Sequence, residues 1–453
     1  MILQDKKVLI VGLAKTGVST IKILDKLGAK ITVNDIKTKE SLSEILKELE
    51  GLNNVEYILG HHPENIDNIE LVIVSPGVPL DLPFILKIKE KKIELIGEVE
   101  LAYRLSKDPT FVAITGTNGK TTTTSLVGEI FNKANKDTYI VGNIGNPVID
   151  TIDNANSNSY LITELSSFQL ESIDKFSPKV SAILNFTEDH LNRHHTMDEY
   201  IKAKCRIFEN QNENDFCILN YDDLEIRKII KDVDAKVILF SRKDILEEGV
   251  YLNENNDIII DINNKKTVLL NKEEVSLPGN HNLENIMAAV AMAYILNIDV
   301  DVIREVIKTF GGVEHRQEFV RSINNIRFVN DSKATNPDSS IKAVESYKDP
   351  IILIAGGMDK HSNFDEFIET CKNRVKAFVL IGETANNMAQ VAKDKGFTEI
   401  IIAKDMKDAV ETSYKIAKEG DVVLLSPACA SWDMYKSFEV RGKDFKDNVS
   451  NLV

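Results

Sequence analysis

Gly116-Thr117-Asn118-Gly119-Lys120-Thr121-Thr122 sets two glycines, a lysine and three hydroxyls one residue, Thr115, after the apolar run Phe111-Val112-Ala113-Ile114. Such a turn suits the phosphates of a nucleotide. Glycines let the backbone turn its N–H groups inward, and a helix expected from Lys120 adds the positive end of its dipole. The ammonium of Lys120 can reach the β- and γ-phosphates, and a threonine hydroxyl can complete the shell of a bridging Mg²⁺. The longer P-loop pattern requires a glycine where Ile114 stands, so this is a shorter variant, Gly-x-x-Gly-Lys-Thr.

Further acidic and imidazole groups follow the loop. Glu164 closes the apolar segment Tyr160-Leu161-Ile162-Thr163. At that sheet end it can reach the same Mg²⁺, or it can serve the helix that Ser166-Ser167 are placed to cap. Thr187-Glu188-Asp189-His190 leads into His190-x-x-x-His194, a spacing that invites zinc. Leu191 stands where a zinc protease needs glutamate, and oxygen and imidazole donors suit Mg²⁺ or Mn²⁺ as well. Lys202-Ala203-Lys204-Cys205-Arg206 taken alone reads as a solvated helix face.

Earlier in the chain, Gly12-Leu13-Ala14-Lys15-Thr16-Gly17 follows a strand, and Asp35 ends the next one. Ala14 occupies the place of the glycine that lets a dinucleotide fingerprint approach pyrophosphate. The turn, with Asp35 and Ser75-Pro76-Gly77, therefore suits either a dinucleotide or another nucleotide diphosphate.

These groups need sheets to hold them. Three blocks alternate short apolar runs with helical patterns, the signature of parallel sheets in α/β domains. The first runs from Val8 to about Ile96; the second opens at Phe111 and ends in a hairpin around Asn263-Asn264; the third contains Ile326-Arg327-Phe328-Val329, Ile351-Ile352-Leu353-Ile354, Ala377-Phe378-Val379-Leu380-Ile381 and Val422-Val423-Leu424-Leu425. We expect three α/β domains, at residues 1–97, 98–312 and 313–453, with hinges near Gly97 and Gly311-Gly312. The first and third should be Rossmann-like, and the central one an ATPase of P-loop type.

Composition narrows the class of partner. The 453 residues carry 55 Lys+Arg against 70 Asp+Glu, a formal charge of −15, which disfavours nucleic acid and anionic membranes. Four cysteines without Cys-x-x-Cys spacing fit a reducing compartment. No apolar run approaches the roughly 18 residues of a membrane span, and the chain enters its first strand at once. A soluble, cytoplasmic, monomeric protein is expected.

Gly116-Thr117-Asn118-Gly119-Lys120-Thr121, Glu164-Leu165-Ser166-Ser167-Phe168-Gln169-Leu170, Thr187-Glu188-Asp189-His190 and Ala203-Lys204 together resemble the central domain of the Mur ligases. Asn330-Asp331-Ser332-Lys333-Ala334-Thr335-Asn336, Gly356-Gly357-Met358-Asp359-Lys360 and Leu425-Ser426-Pro427-Ala428-Cys429-Ala430-Ser431 resemble the members that add D-glutamate. The Asp-Asn-Pro-Arg signature of the diamino-acid-adding relatives is absent.

The resemblance implies a ligase of peptidoglycan precursor synthesis, and so of cell-wall growth, cell shape and division. ATP would convert the carboxylate of UDP-N-acetylmuramoyl-L-alanine into an acyl phosphate, and the amine of D-glutamate would displace phosphate. It implies ATP contacts at Gly116, Thr117, Asn118, Gly119, Lys120, Thr121, Thr122, Asn282, Asn285, Arg316 and Asp331, with the nucleotide shared between the central and third domains. Thr121 and Glu164 would hold one Mg²⁺, for which Mn²⁺ can substitute, and His190 with a carbamylated Lys204 would hold a second. The substrate contacts implied are Thr16, Asp35 and Ser75 for the uridine diphosphate, and Asn143 for the muramoyl part. Lys333, Thr335, Lys360, Ser431 and Phe438 would surround the amino acid, with Lys120, His190, Lys204, Lys333 and Lys360 serving catalysis. Helix capping by Asn282 and a plain turn at Asn143 stand as bland alternatives. A nicotinamide dehydrogenase would leave Lys120 and Glu164 idle, and a non-catalytic regulator would tolerate loss of Lys204, Lys333 or Lys360. Folylpolyglutamate synthase shares the short loop, but the complete first block and the Ser426–Ser431 motif argue against it.

Overall fold

The computed structural model describes the chain apart from residues 53, 278, 359–361 and 453 and the side chains of Asn192 and Asp338. It divides into two compact units, Met1–Phe310 and Gly311–Val453.

The first unit holds two sheets. Strands β1 (Lys7–Val11), β2 (Lys30–Asp35), β3 (Val55–Leu59), β4 (Leu71–Val74) and β5 (Glu94–Gly97) are all parallel, in the order β3-β2-β1-β4-β5. The order reverses at β1, so a crevice opens beyond the carboxyl ends of β1 and β4, where Gly12 and Ser75 lie. Alternation explains why β1 is buried on both faces. Val8 and Ile10 enter one apolar core while Leu9 and Val11 enter another.

The second sheet comprises β6 (Thr110–Thr115), β7 (Asp137–Gly142), β8 (Ser159–Glu164), β9 (Val180–Ile183), β10 (Phe216–Asn220), β11 (Lys236–Ser241), β12 (Gly249–Leu252), β13 (Asp257–Ile262) and β14 (Lys265–Asn271). Its order is β14-β13-β12-β11-β10-β9-β6-β8-β7. The strand that delivers the phosphate loop, β6, thus lies between β8 and β9, and all three run parallel. The hairpin expected around Asn263-Asn264 is β13–β14; through β12 it extends the main sheet rather than hanging from it. Phe111 and Ala113 share a core with Val8 and Ile10, so one apolar cluster runs across both sheets of this unit. On the opposite face Val112 and Ile114 pack with the helices Lys120–Lys133 and Asn280–Ile295. The latter is buried almost all round from Leu283 to Ala293, as a helix without a polar face must be.

The second unit is one sheet of β15 (Glu318–Ile323), β16 (Ile326–Asn330), β17 (Ile351–Ala355), β18 (Val375–Leu380), β19 (Ile400–Ile402) and β20 (Val422–Leu425), in the order β15-β16-β20-β17-β18-β19. Only β15 is antiparallel. Leu353 and Ala355 face one core, Ile352 and Ile354 the other. Strands β3, β15 and β19, which bury at most one residue each, are edge strands, where half-exposed residues suffice.

Candidate functional site

The phosphate loop is fixed before any ligand arrives. Thr117 N–H donates to the carbonyl of Asn185 (3.0 Å), and Asn118 N–H to Oδ1 of Asn185 (2.8 Å). Thr117 Oγ1 accepts from Thr187 N–H (3.0 Å) and lies 3.0 Å from the hydroxyl of Tyr200. Residues 116–119 are thereby stitched to the segment after β9 that leads to His190. Gly119 closes the loop with φ +84° and caps the helix Lys120–Lys133, whose first turn carries Thr121 and Thr122. Its free N–H groups and dipole make a ready anion site.

Two lysines converge on one carbonyl. Lys120 Nζ donates to the carbonyl oxygens of Gly116 and Thr117, each at 2.8 Å, and Lys204 Nζ donates to the same Gly116 oxygen at 2.9 Å. Lys204 is 2% exposed, with its nitrogen 4.7 Å from the Tyr200 ring centre. Burial, reinforced by the nearby charge of Lys120, pushes its pKa down to about 6. The solvated-face reading of this helix is therefore corrected. Lys202 is exposed, but Lys204 points inward because the Ala203-Lys204 side packs against the loop.

Glu164 ends β8 in register with Ile114, one residue before Thr115 and the loop. It is 1% exposed. Oε1 accepts from Asn143 Nδ2 at 2.7 Å, while Oε2 is buried with no hydrogen-bond partner among the described residues. A buried carboxylate oxygen left in that state is costly unless a cation meets it. Helix capping does not use it: Ser166 caps its helix reciprocally with Gln169. Thr121 is buried in the first turn of the loop helix, and these hard oxygen donors fit Mg²⁺. His190 sits in the left-handed region with φ 54°, half exposed, with Nε2 3.5 Å from Asp189 and its ring against Phe168.

A trio that the sequence reading missed supports this segment. His194 Nε2 is 2.9 Å from Ser167 Oγ, and its Nδ1 is 3.3 Å from Glu171 Oε1. Arg193 ties the same Glu171 to the carbonyl of Val78. The His-x-x-x-His spacing does matter, but the second histidine is a buried strut rather than a metal ligand. Besides that spacing, its sequence signal was Ser167 with Glu171 four residues on, straddling the end of the Glu164 motif.

Asn285 is buried in the helix Asn280–Ile295, with Asn282 one turn earlier. The N-cap of that helix is Gly279, so the capping alternative for Asn282 is not realised. At the crevice of the first sheet, Asp35 accepts from Leu13 N–H (2.7 Å) and Lys37 N–H (2.9 Å), and Ser75 Oγ donates to the carbonyl of Gly12 (2.9 Å). Thr16 lies in the same turn, at the start of the helix Lys15–Lys26. Lys15 Nζ reaches out of this turn to the carbonyl of Gly145 (2.8 Å), and so touches the loop that carries Asn143.

In the second unit, Asp331, Lys333 and Thr335 follow β16 and Ser431 follows β20, at the carboxyl edge of adjacent strands. Asp331 accepts from Ser426 Oγ (2.7 Å) and Gln317 N–H (3.2 Å), and burial pushes its pKa up to about 7. Lys333 N–H donates to the carbonyl of His315, beside the exposed Arg316, and Lys333 Nζ lies 6.0 Å from the ring centre of Phe438. Lys360 lies outside the described residues. Arg441, which the sequence reading missed, is 1% exposed and braces this edge. It donates to Ser332 Oγ (3.0 Å), the Ser332 carbonyl (2.8 Å) and the Cys429 carbonyl (3.0 Å), next to Lys333 and near Ser431. Glu314, His315 and Glu318 bring ligand atoms together as a metal site would, but Lys446 already pairs with both carboxylates (2.6 and 2.9 Å).

Three family models match the chain in succession: the Mur ligase MurD-like N-terminal domain over residues 6–97, the Mur ligase middle domain over 114–293, and the Mur ligase glutamate ligase domain over 315–429. The chain is 67% identical over 452 residues to the UDP-N-acetylmuramoylalanine–D-glutamate ligase of Clostridioides difficile (strain 630), covering 100% of both chains. It is 51% identical over 455 residues to the ligase of the same name from Alkaliphilus oremlandii (strain OhILAs), again over 100% of each. Among solved structures, the UDP-N-acetylmuramate–alanine ligase of Thermotoga maritima is similar in fold. Its TM-score is 0.53 at 19% identity, covering 98% of this chain and 99% of that one.

Proposed function

The chain belongs to the Mur ligase family, and we propose that it joins D-glutamate to UDP-N-acetylmuramoyl-L-alanine at the expense of ATP, releasing ADP and phosphate, in peptidoglycan precursor synthesis. The observation that carries this reading is the 67% identity, end to end, with a ligase of that name. The side chains and helix N-terminus of the phosphate loop fit the same chemistry.

A carboxylate is a poor electrophile, so the reaction runs in two displacements. A carboxylate oxygen of the muramoyl substrate bonds to the γ-phosphorus as the bond to the ADP oxygen breaks. The D-glutamate amine then attacks the acyl carbon, phosphate leaves with the bonding pair, and the nitrogen gives up a proton. Both steps gather anions, and fixed cations and oriented donors stabilise them better than an acid–base pair does. The chain supplies Lys120 and the N–H groups of Gly119, Thr121 and Thr122, and we assign Gly116, Thr117 and Asn118 of the loop to the nucleotide with them. We assign Asn282, Asn285, Arg316 and Asp331 to the nucleotide as well.

Thr121 and Glu164 would hold one Mg²⁺, and His190 with Lys204 a second; the ions supply positive charge at the transferring phosphoryl group. The orphaned Oε2 of Glu164 supports the first assignment. Mn²⁺ accepts the same donors. Lys204 as an amine cannot ligate a cation while it donates to a carbonyl, but as a carbamate it becomes an anionic oxygen ligand. Its enclosure beside Lys120 favours the uncharged amine that reacts with carbon dioxide. Asp35, Thr16 and Ser75 are assigned to the uridine diphosphate, and Asn143 to the muramoyl moiety. Lys333, Thr335, Lys360, Ser431 and Phe438 are assigned to D-glutamate, whose two carboxylates call for at least two cationic or donor positions. The enzyme acts as a monomer in the cytoplasm, where ATP and the UDP-linked precursor meet.

The test is phosphate release from ATP with Mg²⁺ and UDP-N-acetylmuramoyl-L-alanine, adding D-glutamate, L-glutamate or L-alanine in parallel. Release with D-glutamate alone, and a product of the matching mass, supports the reading. Folded protein that releases phosphate with none of the three overturns it.

A further inference from the structure

The turn after β7 is built around Glu164. Asn143 grips that residue twice: its backbone N–H donates to the Glu164 carbonyl at 2.8 Å, and its Nδ2 donates to Oε1 at 2.7 Å. Gly142 allows so close an approach. It has φ +104°, and a Cβ there would stand 2.3 Å from the Glu164 carbonyl oxygen. Gly142 N–H closes the turn on the carbonyl of Asn146 (2.9 Å). From the first sheet, Lys15 Nζ holds the far side through the carbonyl of Gly145 (2.8 Å).

We propose that Asn143 is a positioning residue that aims the carboxylate of Glu164 at its metal ion, with Lys15 bracing the turn that carries it. The inference rests on the reading of Glu164 as a Mg²⁺ ligand and adds to it a cause for that carboxylate's orientation. With Oε1 occupied by the amide, rotation about the terminal bond of Glu164 is stopped and Oε2 alone is presented. The choice of an amide is chemically apt. A lysine or arginine there would neutralise the carboxylate and compete with the metal, and a second carboxylate would repel the first. The amide leaves the full negative charge available and supplies only direction, as partners of metal ligands generally do.

Calorimetric binding of ADP, measured across a series of Mg²⁺ concentrations, tests this without turnover. The proteins are the wild type, Asn143→Ala, Lys15→Met and Glu164→Gln, with thermal unfolding to confirm that each is folded. We expect Asn143→Ala to need about tenfold more Mg²⁺ for half-maximal enhancement of ADP binding. Excess Mg²⁺ should restore the affinity, and Lys15→Met should shift the same way by less. Lys15 is exposed, so its variant keeps the test open if Asn143→Ala does not fold. Unchanged Mg²⁺ dependence in both variants, while Glu164→Gln abolishes it, overturns the positioning role but leaves Glu164 as a ligand. A raised KM for the muramoyl substrate as the sole effect of Asn143→Ala has the same meaning. If Glu164→Gln also leaves Mg²⁺ dependence intact, the metal reading itself fails and this inference with it.

Discussion

Gly119 and Asn285 approach so closely that no side chain fits between them: a Cβ on Gly119 would stand 2.1 Å from Asn285 Oδ1. The contact ties the phosphate loop to the buried helix Asn280–Ile295, two elements far apart in sequence. Gly119→Ala would also force a left-handed φ of +84° on an L-residue, at a cost of roughly 1–2 kcal/mol. We expect the variant to lose about tenfold or more in kcat/KM for ATP, with the KM for D-glutamate little changed. Steady-state kinetics with each substrate varied in turn checks this; equal loss for all substrates would mean that the fold, and not the loop, was damaged.

Lys333→Ala removes a cation from the carboxyl edge of the second unit's sheet. A charge-assisted hydrogen bond to a carboxylate contributes about 1.5–3 kcal/mol, so kcat/KM for D-glutamate should fall about 10- to 100-fold. ADP affinity, measured by calorimetry, should stay within about twofold. A drop in ADP affinity as large as the drop for D-glutamate would reassign the residue to the nucleotide.

Arg441 satisfies three oxygens from inside the protein, and burial pushes its pKa down to about 10. Arg441→Lys keeps a charge but cannot reach the same acceptors with one nitrogen in place of a planar fork. Leaving buried carbonyls unpaired costs roughly 1–3 kcal/mol each. The urea midpoint of the second unit's unfolding should fall accordingly, together with the affinity for D-glutamate, since Ser332 and Cys429 flank the residues assigned to it. A variant as stable as the wild type would remove Arg441 from its bracing role.

Glu98 carries a pH dependence of its own. It is buried against the turn at Val148–Thr151, accepts from Ile149 N–H (2.6 Å), and burial raises its pKa from 4.5 to about 7. Between those values the folded chain holds a proton that the unfolded chain has released. Stability from this group is therefore present at low pH and is lost as pH rises towards 7, by about 3 kcal/mol in all. Glu98→Gln keeps the carbonyl acceptor and cannot ionise. The variant should gain on the wild type from pH 5 to about pH 7 in thermal unfolding and then level off towards pH 8, the other titrating groups cancelling in the difference. A constant gap between the two proteins would show that Glu98 does not change its ionisation on folding.

The local geometry of the Gly116–Thr121 loop was legible in the sequence because it depends on neighbours in the chain. Gly116, Gly119, Lys120 and Thr121 are within one turn of one another, and a strand–turn–helix fixes their relation. The central strands were legible for a similar reason. Segments such as Val8–Val11 and Ile351–Ile354 bury both faces and must be apolar throughout. Edge strands such as β3 and β15 left no such trace, since solvent accepts either pattern on an open edge. What tertiary structure alone decided are contacts between distant segments. Read from its own segment, Lys204 was indistinguishable from a solvated lysine; the family resemblance singled it out, and the fold set it on the carbonyl of Gly116. The task of Asn143 appeared only when parallel pairing of β7 with β8 put Gly142 opposite Glu164. His194 and Arg441 act as struts for the same reason: burial and hydrogen-bond partners belong to the packed chain, whereas spacing along the chain records only local geometry.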